Sequence, residues 1–166
     1  MIYHRYTIKM TQSSILTLDQ ITLNVMTHNR TKNALIESAS SVVSFGFFPE
    51  NNNGFPSAKI CLKLGFIGSG KGRAGAYGLR HIFEKHGGEL GMTCPSEVVS
   101  YVKSIIKPGS EILVDYKKEP DRPLVIESST GLIVLALAGV GESKHYNIIS
   151  AYTRFSHPGT VIATIT

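Results

Sequence analysis

The sequence contains no tryptophan and only two cysteines, Cys61 and Cys94. These cysteines lie in different segments and form no C-x-x-C pair, so the sequence predicts neither a structural zinc site nor a disulfide framework. No run of about 18 apolar residues occurs, so no transmembrane helix is predicted. The first ten residues, MIYHRYTIKM, lack the apolar stretch of a secretory signal. We therefore expect no membrane association and a site of action in the cytoplasm, reached either from the place of synthesis or by delivery into a target cell.

Acidic residues are few: 12 Asp and Glu oppose 17 Lys and Arg, which gives a net charge of +5 at pH 7. This modest excess suits a polyanionic partner such as RNA, although many basic proteins bind no nucleic acid. The 166 residues, 42% of them hydrophobic, suffice for a domain with a core. The strongest break in composition is the loop PENNNGFPS. We place a boundary after it, between an N-terminal segment of unassigned role, 1–57, and a domain at 58–166.

Two helices and then a series of strands are predicted after this boundary. In AYGLRHIFEKHGG, apolar positions recur at helical spacing, and the two glycines end the helix. A second helix opens at TCPSE and runs through VVSYVKSII. The period then changes to two in EILVDY, PLVIES, LIVLALAG, YNIISAYTRF and VIATIT, which are separated by turn signals. The fold class is therefore α+β, with two or more helices followed by an antiparallel meander of four to five strands.

The stretch GFIGSGKGR, residues 65–73, matches the beginning of a phosphate-binding P-loop as far as Lys71. A P-loop then requires a Ser or Thr hydroxyl for Mg²⁺, but position 72 is glycine. It also requires a helix that begins directly after the lysine, and further glycines at 72, 75 and 78 disfavour one. We interpret the stretch as a basic, glycine-rich loop whose Lys71, Arg73 and Arg80 approach a phosphate backbone.

The first helix carries a histidine beside a lysine. At about 100° per residue, His81 and Lys85 lie together near Tyr77, opposite the apolar positions Leu79 and Ile82. The lysine lowers the pKa of the imidazole, which favours a neutral ring able to act as a general base. The lysine can also stabilise negative charge on a phosphate. A solvated helix face without catalytic function is the alternative interpretation.

His86 falls on the apolar side, in the last turn of the same helix. A histidine there commonly interacts with the negative end of the helix dipole, which is the alternative to a catalytic role. His81 and His86 could also begin a metal site, but no third ligand of suitable spacing follows, and Lys85 repels a cation. We therefore predict no metal.

One late strand carries polar side chains on a single face. Alternation places Ser150, Tyr152 and Arg154 on the same side of YNIISAYTRF. Three polar groups on one face are unusual for a strand that serves only the core, and a half-exposed sheet face is the alternative. Lys144 and His145, in the preceding turn, are weaker candidates.

These segments resemble a known superfamily. The block GKGRAGAYGLRHIFEKHGG, the capped second helix and the meander ending in YNIISAYTRF are similar to the barnase/EndoU/colicin/RelE-like (BECR) ribonucleases. The similarity is greatest to the versions found as toxin domains of polymorphic and contact-dependent toxins and in phage proteins. It covers about residues 65–155, just over half of the chain, whereas residues 1–60 resemble no family.

The resemblance implies a metal-independent endoribonuclease, a toxin or effector that cleaves cellular RNA such as tRNA by attack of the 2′-OH. It requires no cofactor, and an acidic immunity protein or antitoxin would be its partner. The expected catalytic residues are His81, Lys85, His86, Ser150, Tyr152 and Arg154. The expected substrate-binding residues are Lys71, Arg73, Arg80, Lys144 and Thr153.

Two other classes of function stay open at the level of sequence. The chain could be a non-catalytic RNA-binding or protein-binding protein of a phage or mobile element, such as an inhibitor of a host defence. It could instead be an NAD-consuming toxin on a similar framework. Decay of RNA or loss of NAD in a cell-free extract separates these classes.

Nucleoside triphosphates with Mg²⁺ are expected not to bind at Gly65–Lys71, because Gly72 supplies no hydroxyl for the metal. Calorimetric titration of the protein with ATP and Mg²⁺ measures this. Saturable binding that the Lys71→Ala substitution abolishes would contradict the prediction.

Overall fold

The computed structural model describes residues 15–27, 31–117, 124–153 and 156–166. Within these ranges the chain forms two α-helices, α1 (Gly78–His86) and α2 (Glu97–Ile105). The strands in the same ranges are β1 (Ile15–Leu16), β2 (Leu35–Ile36), β3 (Ser44–Phe48), β4 (Ala58–Cys61), β5 (Glu111–Val114), β6 (Leu124–Glu127), β7 (Leu132–Ala138), β8 (His145–Tyr152) and β9 (Thr160–Thr164).

Seven of these strands form one sheet in the order β3-β4-β8-β7-β6-β5-β9, and β1 and β2 form a separate parallel pair. The part from β8 to β5 is an antiparallel meander, and β9 returns to pair antiparallel with the free edge of β5. The mixed α+β class predicted from sequence is thus confirmed. The sheet is wider than the predicted four to five strands, because β3 and β4 extend it beyond β8, where β4 pairs in parallel.

Described residues on both sides of position 57 share this sheet and its core. Strand β3 pairs with β4 across the composition break, and Phe48 at its end stacks on Tyr146 of β8 with ring centroids 4.2 Å apart. The hydroxyl of Tyr146 donates a hydrogen bond to the Pro56 carbonyl, and burial raises the pKa of Tyr146 to about 12. Leu16 and Ile36 belong to the same buried cluster. The segment before Ala58 therefore supports the strand on which the polar residues lie.

A bulge interrupts β8 next to these polar residues. Val134 of β7 lies opposite Ser150, but the next residue, Leu135, lies opposite Ile148, so Ile149 is an extra residue. The bulge puts Ile148 and Ala151 on the same side of the strand although three positions separate them, and both belong to the core. After the bulge, Ser150 and its neighbour Tyr152 lie on the same side of the strand.

Both helices form where the sequence predicts them. The carboxylate of Glu97 accepts the backbone N–H groups of Thr93 and Cys94 and so caps the start of α2. Val98 and Val102 of α2 are fully buried, and each such side chain stabilises the fold by about 1.5–3 kcal/mol. Helix α1 contributes its apolar side chains to the same core and ends at the predicted glycines.

The glycine-rich stretch is a short hairpin. Backbone bridges join Phe66 to Tyr77 and Ser69 to Ala74, which places Lys71 at the tip. Helix α1 begins only at Gly78, so its N-terminal amides are not next to the lysine as a P-loop requires. Gly65 has a φ of +79°, and a Cβ there would collide with the backbone carbonyl of Tyr77. At least this glycine is needed for the close approach of two backbone segments.

Gly65→Ala is expected to lower the free energy of unfolding by at least about 3 kcal/mol, because it adds a steric clash to the strain of a positive φ. Gly70→Ala is the matched control, since Gly70 also has a positive φ, +67°, but a Cβ at this position would have no other atom within 4 Å. We expect it to cost only about 1–2 kcal/mol. Urea unfolding of both variants tests the difference, and equal losses would contradict it.

Candidate active site

Three aromatic side chains from α1 and β8 form a continuous row. The His86 ring lies between the others, with its centroid 5.8 Å from that of His81 and 4.7 Å from that of Tyr152. Both contacts are edge-to-face, with interplanar angles of 86° and 77°. The structure therefore places His81 and Tyr152 in the same region of the molecule, on either side of His86.

The topology explains how this row forms. Strand β4 pairs with β8 only at Tyr146 and Asn147, so β7 is the one strand among the described residues that pairs with the rest of β8. Helix α1 contacts β8, and its last residue, His86, meets Tyr152 at the end of that strand. The row thus depends on a helix packed beside the half of β8 that β4 leaves uncovered.

His81 is buried, with 6% of its surface exposed, so the alternative interpretation of a solvated helix face does not hold for this ring. Arg73 of the hairpin also reaches α1, where its guanidinium is ion-paired with Glu84. Burial is the main cause that lowers the pKa of His81 from 6.5 to about 4, and the positive charges of His86, Lys85 and Arg73 contribute to the same shift. The ring is therefore neutral at pH 7, and its Nδ1 has no hydrogen-bond partner.

His86 is paired with a carboxylate. Its Nδ1 lies 2.6 Å from Oε1 of Glu89, which can only accept, so Nδ1 carries the hydrogen. The opposite nitrogen, Nε2, is buried and has no partner. A carboxylate that fixes the tautomer and orientation of an imidazole is a recurrent arrangement in acid–base catalysis.

Ser150 adds a third unpartnered polar group. Its side chain is only 2% exposed, and its Oγ forms no hydrogen bond within the described part of the protein. Each buried polar atom left unpaired costs about 1–3 kcal/mol. His81 Nδ1, His86 Nε2 and Ser150 Oγ carry this cost on two elements that pack together. Such clustering is typical of a site that receives a ligand rather than of a core built for stability.

The backbone of Tyr152 is fixed by a hydrogen bond from α2, and Tyr152 also borders a pocket. The Tyr101 hydroxyl donates a hydrogen bond of 2.7 Å to the Tyr152 carbonyl, and this contact needs Gly131, where a Cβ would collide with both groups. The side chain of Tyr152 lines a pocket of about 200 Å³ together with Leu132 and His157. The pocket shares Tyr152 with the row of rings.

The expected cations take different positions around this row. Lys85 is exposed on α1 close to His81, and Arg73 is ion-paired with Glu84 on the same helix. Lys71 is exposed at the hairpin tip. Arg80 instead bonds the Val25 carbonyl through Nε and Nη2, which gives its guanidinium a structural function.

The remaining expected residues lie at the ends of β8 or outside the described ranges. Thr153 is exposed directly after Tyr152. Lys144 is exposed before the first residue of the strand, so the length of β8, roughly 25 Å, separates it from the row. Arg154 lies outside the described residues.

The sequence analysis missed Glu89 and Tyr101. Glu89 follows His86 by three residues, but two glycines intervene and the helix has ended, so helical spacing predicts no contact. Tyr101 lies on α2 among core residues, and only the fold shows that its hydroxyl reaches β8. The pKa of Tyr101 is raised by burial and, to a smaller extent, by the charge of Glu89. The Glu89 carboxylate therefore lies near Tyr101 as well as near His86.

Comparison of the chain with protein-family models, with curated proteins and with solved structures gave no match. Within the described ranges, no three His, Cys, Asp or Glu side chains are arranged to hold a metal ion. None of the helices in those ranges is long and apolar enough to cross a membrane.

The depressed pKa of His81 predicts a pH-dependent stability. Between pH 6.5 and about 4 the unfolded chain binds a proton at this residue and the folded protein does not, so stability falls as the pH falls through this window. Urea unfolding between pH 7.5 and pH 4.5 should show a smaller loss in His81→Gln than in the wild type. His157→Gln is the control, and a wild-type slope in His81→Gln would contradict the assignment.

Proposed function

We propose that the protein is a metal-independent endoribonuclease that cleaves RNA by attack of the 2′-OH on the adjacent phosphate. The observation that carries this proposal is the row of His81, His86 and Tyr152, in which both histidines leave one ring nitrogen unpartnered. Such a reaction needs a base, an acid and positive charge for the phosphorane, and all three types of group lie here.

His81 is the general base in this proposal. Its low pKa keeps it neutral, and its unpartnered Nδ1 can accept the proton of the 2′-OH. A pKa of about 4 makes a weak base, but the negative charge of a bound phosphate offsets the cations that lower it. Substrate binding would therefore raise the basicity of His81 towards the range that favours proton transfer at pH 7.

His86 is the general acid. Its ion pair with Glu89 forms when the imidazole carries its second proton, and that proton then resides on the unpartnered Nε2. From there it can pass to the 5′-oxygen as the P–O5′ bond breaks. His81 lies beside cations, whereas His86 lies beside a carboxylate. Enzymes commonly assign the functions of base and acid to two neighbouring groups by giving them opposite environments of this kind.

Positive charge and base binding come from the surroundings. Lys85 and Arg73 are close enough to His81 to affect its pKa, so both can approach a phosphate bound there. Arg73 would exchange its contact with Glu84 for the phosphate, because a bidentate phosphate contact is a strong one for arginine. Ser150 would donate to a phosphate oxygen, and Tyr152 would stack on a base that enters its pocket. Lys71 would contact the RNA backbone.

A non-catalytic RNA-binding protein is the second candidate, and one observation favours it. His81 and His86 are 6% and 5% exposed, so their free nitrogens are covered in the absence of substrate. Catalysis requires that neighbouring side chains, such as Lys85 and the Arg73–Glu84 pair, move aside. A protein that only binds RNA would not need this movement, and the two candidates differ in whether RNA is cut.

The biological setting that fits this activity is a toxin or effector acting on cellular RNA such as tRNA. The basic net charge of +5 suits RNA and equally an acidic immunity protein that would cover the same surface. A small acidic protein encoded in the adjacent reading frame would support this setting.

His81→Ala and His86→Ala should each lower the rate of RNA cleavage by about 10²–10⁴-fold, the usual contribution of a positioned acid or base. Single-turnover cleavage of total tRNA, followed by gel electrophoresis, measures the rate. A chelator should leave the rate unchanged, because side chains supply both proton transfer and charge. Wild-type protein that binds RNA without cutting it would favour the second candidate.

Glu89→Ala should lower the cleavage rate by about 10–100-fold, because His86 loses the group that orients it. Adding this change to His86→Ala should have no further effect, since Glu89 acts through His86. Glu111→Ala, which removes an exposed carboxylate from β5, is the control and should keep the wild-type rate. Additive effects of Glu89→Ala and His86→Ala would contradict this function of Glu89.

A further inference from the structure

A second pocket lies at the opposite end of β8 from Tyr152. It has a volume of about 340 Å³ and lies between β4, the start of β8 and the turn before it. This volume is in the range of sites for small organic ligands, about 300–1,000 Å³. The residues used below are Asn33, Lys59, Cys61, Lys63, Glu142 and His145.

Two lysines give this pocket a positive charge. Lys59 and Lys63 flank Cys61 in sequence, and the charge of each lowers the pKa of the Cys61 thiol, whereas burial, the larger effect, raises it. The thiol therefore stays protonated and forms a small apolar part of the wall. Glu142 adds one carboxylate, so the lining carries a net positive charge and suits an anionic group.

The pocket also contains an acceptor without a donor. His145 Nδ1 lies 2.8 Å from the carbonyl oxygen of Ser143, which can only accept, so Nδ1 carries the hydrogen of the neutral ring. Nε2 is then a bare acceptor, and it is buried without a partner.

We propose that this pocket binds a nucleoside monophosphate unit. The two ammonium groups would contact the phosphate. His145 Nε2 is covered in the free protein, and it would accept a hydrogen bond from a sugar hydroxyl or an exocyclic amine of the base once the ligand displaces the covering atoms. Asn33 also lines the pocket, and its side-chain oxygen accepts a hydrogen bond from the Tyr77 hydroxyl. This bond connects the pocket to the last residue of the glycine-rich hairpin. Inorganic phosphate would satisfy the lysines but not the acceptor of His145.

This ligand chemistry has two sources, a free mononucleotide and one unit of an RNA chain. The length of β8, roughly 25 Å, separates the pocket from Tyr152. An RNA unit bound here would therefore be several nucleotides away from a phosphate at His81. The proposal does not depend on the ribonuclease activity, because no residue of this pocket belongs to the row of rings.

The test is calorimetric titration with the four ribonucleoside 5′-monophosphates, with a single-stranded RNA of eight nucleotides, with the nucleosides and with inorganic phosphate. The protein used is the His81→Ala variant, so that the RNA stays intact. We expect saturable binding of a monophosphate, of the RNA or of both, at least about tenfold tighter than that of phosphate or of the nucleoside. Binding of RNA alone identifies a subsite, and binding of a monophosphate identifies a site for a free ligand.

Lys59→Gln, Lys63→Gln and His145→Ala should each weaken this binding by about tenfold. Lys107→Gln is the matched control, since it removes one exposed lysine after α2 and should leave the affinity unchanged. Lys59 is exposed, so its replacement tests the pocket without disturbing the core. Three results would overturn the proposal: no saturable binding of a monophosphate or RNA, binding that the three variants leave unchanged, or equally tight binding of inorganic phosphate.

Discussion

The packing of α1 against β8 is the contact on which the candidate active site depends. Strand β8 is internal to the sheet, paired with β4 on one side and β7 on the other, and is therefore a rigid support. Because β4 leaves it after Asn147, a helix can approach its second half and bring His86 to Tyr152. The hairpin before α1 and the hydrogen bond from Tyr101 then fix the two partners of this contact. Loss of this packing would separate the histidines from the strand without changing either element.

Burial gives these histidines properties that neither would have on a surface. In water, neighbouring cations would be screened and His81 would titrate near its ordinary pKa of 6.5. Inside the protein, loss of hydration disfavours the charged ring first of all, and the same charges act at lower dielectric, so an uncharged ring becomes the stable form. The unpartnered nitrogens reduce the stability of the fold, and a bound phosphate and ribose would recover that loss. A site of this kind favours a ligand whose polar atoms match the unpartnered atoms of the protein.

The sequence predicted what local periodicity determines. Both helices, the five late strands and the polar side of β8 follow from spacing, because each pattern is read within one element. The contact of Arg73 with Glu84 could not be predicted, since it depends on how the hairpin folds back onto α1. The pairing of β4 with β8 joins residues more than 80 positions apart, and no local pattern indicates it. The same holds for Glu89, whose contact with His86 forms only after the helix has ended.

The extra residue in β8 has a consequence for how this strand evolves. Loss of Ile149 would leave Leu135 opposite Ile148 and Val134 opposite Ser150, so Ser150 and Tyr152 would keep their face and only the bulge would disappear. Relatives could therefore differ in length by this one residue and still present the same polar side chains on the same side of the strand. An alignment that scores this strand residue by residue, without a gap at the bulge, would match the polar positions of this chain with core positions of a relative that lacks it. Distant relatives of this chain would then be recognised by superposition of the strand and helix before they are recognised by sequence.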